Sequence, residues 1–124
     1  MVNLGDSRAF WQQNDKLQQL SVDHTDQKML LSQGITARRP GLTQHPGIEP
    51  EDMILQQTTV RIRICPDDRF LLCTDGLTDM LGSEEIQSTL KLQEPVETAA
   101  EGFGWALENG GQDNITAVCC RIYC

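Results

Sequence analysis

The chain holds no Cys-x-x-Cys pair, no histidine at zinc-finger spacing and no apolar run approaching about 18 residues. The first two absences argue against a structural zinc site, and the third gives no sign of a membrane span. No basic-then-apolar start is present either, so no secretory signal is expected. Basic residues are scarce: 10 Lys and Arg against 18 Asp and Glu leave a net charge of −8 and a pI near 4.5. Nucleic-acid binding depends on neutralising phosphates with Lys and Arg, so this balance argues against it and suits a cation site. The five cysteines, Cys65, Cys73, Cys119, Cys120 and Cys124, are odd in number and read as reduced thiols of a cytoplasmic protein. Cys73 and one of Cys119 or Cys120 read as small core residues.

What remains is a chain of 124 residues, 39% hydrophobic with mean hydropathy −0.36, sized for one soluble domain with a modest core. Its organising stretch is residues 69–81, Arg-Phe-Leu-Leu-Cys-Thr-Asp-Gly-Leu-Thr-Asp-Met-Leu. The run from Phe70 to Cys73 has strand length, and Thr74, Asp75 and Gly76 break it. A buried strand ending in a carboxylate beside a glycine puts that carboxylate at a sheet rim, where the glycine admits a ligand or another backbone. Hard cations such as Mg2+ and Mn2+ take oxygen ligands of this kind. Asp-Gly is also an ordinary turn signal, but two further segments share the pattern. Asp6 follows Gly5 and precedes Ser7 and Arg8, and Asp113 follows Gly110, Gly111 and Gln112 and precedes Asn114.

Residues 1–22 read as an apolar start and a β-hairpin turning at Gln12 to Asp15, with Leu17, Leu20 and Val22 as apolar contacts. Thr25 or Asp26 caps an expected helix over residues 27–33, closed by Gly34. His24 reads as a turn histidine bonding its own segment, a general base or ligand being the other reading. Residues 35–50 hold Pro40, Gly41, Pro46, Gly47 and Pro50 and form an expected flap-like loop, in which Arg38 and Arg39 could guide a phosphorylated substrate. Val60, Ile62 and Ile64 alternate with Arg61 and Arg63, which predicts a half-buried strand. With a turn at Cys65, Pro66, Asp67 and Asp68, it predicts an antiparallel hairpin with the strand at 69–74. Two helices are expected over residues 83–109. Ser83 caps the first, which carries Glu84, Glu85, Ile86 and Leu90; Pro95 opens the second, with Val96, Ala100, Phe103 and Leu107 on one stripe. Residues 115–123 complete the set as a final strand.

In order and spacing, five segments resemble the metal-dependent serine/threonine phosphatases of the PPM/PP2C family, in particular the bacterial type. They are Gly5-Asp6-Ser7-Arg8, Ser21-Val22-Asp23-His24, Leu42-Thr43-Gln44, Leu72-Cys73-Thr74-Asp75-Gly76-Leu77-Thr78-Asp79 and Gly111-Gln112-Asp113-Asn114-Ile115-Thr116. The resemblance runs from Val2 to Tyr123. It implies an α+β fold, an antiparallel β-sandwich flanked by helices (α-β-β-α), represented here by its C-terminal half. It also implies hydrolysis of phosphoserine and phosphothreonine by a water held between two Mn2+ or Mg2+ ions.

Carried over, Asp75 and Asp113 resemble catalytic metal ligands, acting through that water. Asp6 resembles the aspartate that, with Asp75, holds a third and weaker ion. Asn114 and Gly76 fall behind the ligands, Asn114 orienting Asp113, and Arg38, Arg39 and Thr43 fall in the substrate flap. The implied partners are phosphorylated Ser/Thr proteins, opposite a serine/threonine kinase, with no nucleic acid or membrane. The family's bridging Asp-Gly, a further acidic ligand and a phosphate-gripping arginine have no counterpart, and Pro46 stands where an apolar residue is usual. The chain is therefore expected to be a truncated domain, inactive alone and able to dimerise through an exposed sheet edge. A non-catalytic phosphatase-like binding module, or an inactive fragment, is the alternative.

Overall fold

The computed structural model describes residues 1–36, 41–47, 49, 54, 56–92, 94–111 and 113–123, without the side chains of Val96, Phe103 and Leu107. In chain order the elements are β1 (Val2–Asn3), β2 (Arg8–Gln13), β3 (Lys16–Gln19), α1 (Gln27–Ser32), β4 (Thr58–Thr59), β5 (Arg69–Cys73), α2 (Asp75–Thr78), α3 (Ser83–Leu90), α4 (Pro95–Glu108) and β6 (Ala117–Arg121). Four strands form one sheet in the order β3-β2-β5-β6, and β1 pairs with β4 beside it. Every pairing is antiparallel. With its helices this is the α+β architecture expected.

The β2–β3 hairpin pairs Gln13 with Lys16, so Asn14 and Asp15 alone make the turn. Asn14 takes φ 54°, a left-handed value that asparagine tolerates better than most residues and that matches the twist of a tight hairpin. Alternation then sorts the sheet into two faces. Phe10, Leu71 and Cys119 lie in one row across β2, β5 and β6, beside Cys73. Leu77, Leu81, Ile86, Leu90 and Ala106 close over this face and complete the core. The opposite face carries the rows Ala9, Leu72, Val118 and Trp11, Phe70, Cys120. It is only partly covered: Leu72 is 47% exposed and Val118 57%.

The predicted hairpin of residues 60–64 with 69–74 does not form. Strand β5 pairs with β2 on one edge and β6 on the other, which leaves no free edge for a third partner. Thr58 and Thr59 pair with β1, Val60 exchanges backbone bonds with Met1 (3.0 and 2.9 Å), and residues 61–64 run on without strand pairing, Ile64 being 55% exposed. The turn itself exists, since the Asp68 amide donates to the Cys65 carbonyl (3.2 Å) and the Cys65 amide to Asp68 Oδ2 (2.8 Å). That second bond buries Asp68, which composition alone did not indicate.

Smaller corrections follow the same logic of satisfied donors. Asp26 occupies the α1 cap position, but its Oδ1 accepts from the Gly41 amide instead (2.8 Å). Gly34 does take the left-handed conformation after the helix. Gly82, not Ser83, precedes α3, and Glu85 Oε2 accepts from its amide (2.6 Å). Among the described side chains of α4 the buried ones are Thr98, Gly102 and Ala106, and Ala100 is exposed; Val96, Phe103 and Leu107 of the expected stripe lie outside them. Val22 is also exposed, at 45%.

The described cysteines are free, and burial pushes the Cys73 thiol up to about 12 and the Cys119 thiol up to about 11. An acid raised in the folded state stabilises the fold through its neutral form. That contribution is whole below the ordinary thiol value of 9.0 and is lost as pH rises through the folded values. Alkylation at about pH 8 should therefore modify exposed Cys120 well before Cys73, because the thiolate is the nucleophile. Peptide mapping of partly labelled protein reads the order, and Cys73 labelling as fast as Cys120 contradicts it.

Candidate metal centre

Three turns meet at one end of the sheet, each carrying an aspartate. Asp75 is the first residue of α2, directly after β5, and its Oδ1 accepts from the Gly76 amide (2.9 Å). Thr74 binds this turn to the entrance of β6. Its amide donates to the Thr116 carbonyl (3.0 Å), and its hydroxyl accepts from the Thr116 amide (3.1 Å) and donates to the Asn114 carbonyl (3.2 Å). Gly76 completes the approach. A Cβ there would collide with the Asn114 carbonyl oxygen and lie 3.4 Å from Asp113 Cβ. The glycine beside Asp75 thus admits another backbone, the one that carries Asp113. Asp113 is exposed, and its Oδ1 accepts from the Asn114 amide (2.7 Å).

Asp6 arrives from the turn between β1 and β2. Gly5 holds φ +101°, a conformation that favours glycine, and its amide donates to His24 Nδ1 (3.1 Å). Burial, and then the neighbouring charge of Asp75, raise the Asp6 pKa above its ordinary 3.8. These two carboxylates repel one another across a partly desolvated gap, a condition that a cation between them would relieve. Arg8 is close by but committed elsewhere. Its Nε and Nη2 grip Asp23 in a two-point ion pair (Nη2 to Oδ2, 2.6 Å), which holds the guanidinium firmly charged.

The structure therefore links Asp6 to Asp75 electrostatically, and the Asp75 turn to Asp113 by backbone contact. Among the described residues no group of three Asp, Glu, His or Cys side chains is close enough to hold a metal ion. The donors fit a hard cation in chemistry but supply part of a ligand set. Of the flap residues, Thr43 is exposed and donates its amide to the His24 carbonyl (2.8 Å), while Arg38 and Arg39 lie outside the described residues. His24 departs from the expectation that it bonds its own turn, because both ring nitrogens reach distant residues, Gly5 and Thr58. The Thr74 clasp and the Arg8–Asp23 pair were likewise not anticipated; only the proximity of Asp23 to His24 in sequence hinted at a shared junction.

An antiparallel sheet backed by helices, with aspartates on the turns at one end, defines the class, and the comparisons supply the family. No family model matches the chain. The serine/threonine phosphatase Stp of Listeria innocua is 32% identical over 128 residues, a match covering 95% of this chain and 49% of the relative. PstP of Mycobacterium tuberculosis is 30% identical over 128 residues, covering 95% and 24% respectively. Among solved structures, the Mycobacterium smegmatis PPM Ser-Thr phosphatase MsPP, in complex with cacodylate, superposes with a TM-score of 0.80 at 27% identity, over 98% of this chain and 54% of that one. The PstP catalytic domain in complex with 2 manganese ions gives 0.73 at 30%, over 99% and 53%. PppA, a key regulatory component of T6SS in Pseudomonas aeruginosa, gives 0.81 at 28%, over 97% and 50%. Along nearly its whole length the chain is similar to PPM/PP2C-type serine/threonine phosphatases, and it spans about half the length of Stp and of these solved chains.

Two outcomes test the geometry. Asp75→Asn removes the charge facing Asp6, so the Asp6 carboxyl should titrate closer to 3.8 in the variant, as read by carboxyl 13C shifts. An unmoved titration would mean the two aspartates do not interact. Gly76→Ala forces the 74–76 and 113–116 segments apart and should destabilise the fold by about 1–3 kcal/mol in chemical denaturation.

Proposed function

We propose that this chain contributes part of the active site of a protein serine/threonine phosphatase, which hydrolyses phosphoserine and phosphothreonine by a metal-activated water. The observation that carries the reading is the meeting of the Asp6, Asp75 and Asp113 turns at one sheet end. A relative solved with 2 manganese ions supports Mn2+ or Mg2+ as the cofactor. On this reading Asp75 and Asp113 belong to the two-ion core, and Asp6 with Asp75 serves a third, weaker position. Bound there, the ions would supply an activated water and neutralise charge on the phosphoryl group. The chain's own residues do the positioning. Thr74 ties the two ligand turns, Gly76 lets them touch, and the Asn114 amide fixes one oxygen of Asp113.

The bridging Asp-Gly, a further acidic ligand and a phosphate-binding arginine belong to the N-terminal half of such a domain, so turnover requires that half. Phosphorylated proteins are the substrates, in a cytoplasmic setting where a serine/threonine kinase supplies them, and the family resemblance assigns their recognition to Arg38, Arg39 and Thr43. A second reading, a non-catalytic phosphatase-like module, is favoured by one observation: no three-donor cluster exists among the described residues.

The test uses the native polypeptide that carries these residues. It should release phosphate from phosphoserine and phosphothreonine peptides only with Mn2+ or Mg2+. Asp75→Asn should lower kcat by about 100-fold or more, at least as much as removing a residue that merely supports a ligand. Normal turnover in the variant refutes the role of Asp75. A folded wild-type protein silent at every Mn2+ concentration leaves the non-catalytic reading standing.

A further inference from the structure

His24 is held at four points, two of them on Gly5 in the Asp6 turn and one each on Thr43 and Thr58. Its amide donates to the Gly5 carbonyl (3.0 Å), and its carbonyl accepts from the Thr43 amide (2.8 Å). Its ring places Nδ1 3.1 Å from the Gly5 amide and Nε2 2.9 Å from Thr58 Oγ1. An amide N–H can only donate, so Nδ1 accepts. In the neutral ring the proton then sits on Nε2 and is donated to the Thr58 hydroxyl. Thr58 is half of β4, which pairs Thr58 with Asn3 and Thr59 with Val2. Asn3 in turn reaches across, its Oδ1 accepting from the Val22 amide (3.1 Å) and its Nδ2 donating to the Ser7 carbonyl (3.3 Å). The His24 ring touches both β4 and the residue before Asp6.

Gly5 makes this contact consequential. At φ +101° its peptide orientation is set by its partners more than by an intrinsic well, and those partners are both on His24. A carbonyl from the 43–58 segment, that of Gln44, also comes within 3.8 Å of where a Gly5 Cβ would lie. We propose that His24 is a positioning residue that couples β4 to the Gly5–Asp6 turn through its Nε2–H tautomer, so that the seating of Thr58 sets how well Asp6 and Asp75 share a divalent cation. The consequence for cation binding rests on the reading of Asp6 as a metal ligand; the coupling itself does not. Because such coupling is reciprocal, a cation at Asp6 would also steady β4.

The experiment is a double-mutant cycle in the native polypeptide that carries these residues, read by amide and imidazole NMR with a Mg2+ titration. Thr58→Val removes the ring's distal partner without touching the turn. It should shift the Gly5 and Asp6 amides and weaken the Mg2+ response at Asp6 by about tenfold, the range seen when a ligand's support is lost. His24→Asn offers an oxygen near the Nδ1 position and should keep the turn, but in that background Thr58→Val should add nothing. A long-range imidazole spectrum should report the Nε2–H tautomer in the wild type. An Nδ1–H ring, or a Thr58→Val effect equal in both backgrounds, overturns the proposal. Should Mg2+ perturb neither Asp6 nor Asp75 in the wild type, the metal reading fails. The tautomer and the cycle on the Gly5 amide would still decide the role of His24.

Discussion

A strand has two edges, and β5 uses both. Pairing with β2 on one side and β6 on the other makes Arg69–Cys73 the centre of the sheet. That constraint propagates outward. It ends β5 beside the entrance to β6, so Asp75 emerges next to the segment bearing Asp113. It sets Arg8 opposite Cys73, so the turn bearing Asp6 opens at the same end. It also excludes residues 60–64, whose alternation of Val, Arg, Ile, Arg and Ile is a strand pattern with no edge of β5 left to pair with. The aspartates converge because three neighbouring strand ends do.

The same strand explains what the run from Phe70 to Cys73 meant. Four consecutive apolar residues describe a strand buried on both faces. Here one face is sealed by α3 and α4 over Leu71 and Cys73, while Leu72 and Val118 on the other remain about half exposed. Trp11 lies on that second face, and its Nε1 is buried with no hydrogen-bond partner. An unpaired buried donor costs about 1–3 kcal/mol, and folded domains keep few of them. The chain spans about half of the solved domains it superposes on, and this half-covered face with its unpaired indole is where its own packing is least complete.

Local chemistry was the legible part. The β2–β3 hairpin and the helix at Gln27–Ser32 with Gly34 beyond it rest on interactions within a few residues, and the acidic turns are marked by their local Gly and Asp even though distant bonds hold them. Pairing choice was not legible, because alternation states that a strand has two faces without naming its neighbours. Of the stripe expected on α4, Ala100 is exposed, and the side chains of Val96, Phe103 and Leu107 lie outside the described ones; Thr98, Gly102 and Ala106, weakly apolar or small, are buried where close helix packing favours little side chain. His24 escaped because its partners are 19 and 34 residues away, distances at which sequence carries no hydrogen-bond signal.

The electrostatics give the convergence its direction. A chain of net charge −8 gains nothing in stability from placing Asp6 in a partly buried spot facing Asp75. Among the described residues the cation acting on Asp6 is Arg8, and its charge offsets the pair only in part because Asp23 holds it in a two-point grip. Releasing that arginine would quench the repulsion and fill the gap. With Arg8 held by Asp23, the Asp6 and Asp75 charges are only partly offset, and Asp113 is tied alongside through Gly76 and Asn114. Such an arrangement costs stability in isolation, and a divalent cation, if bound as proposed, would relieve it.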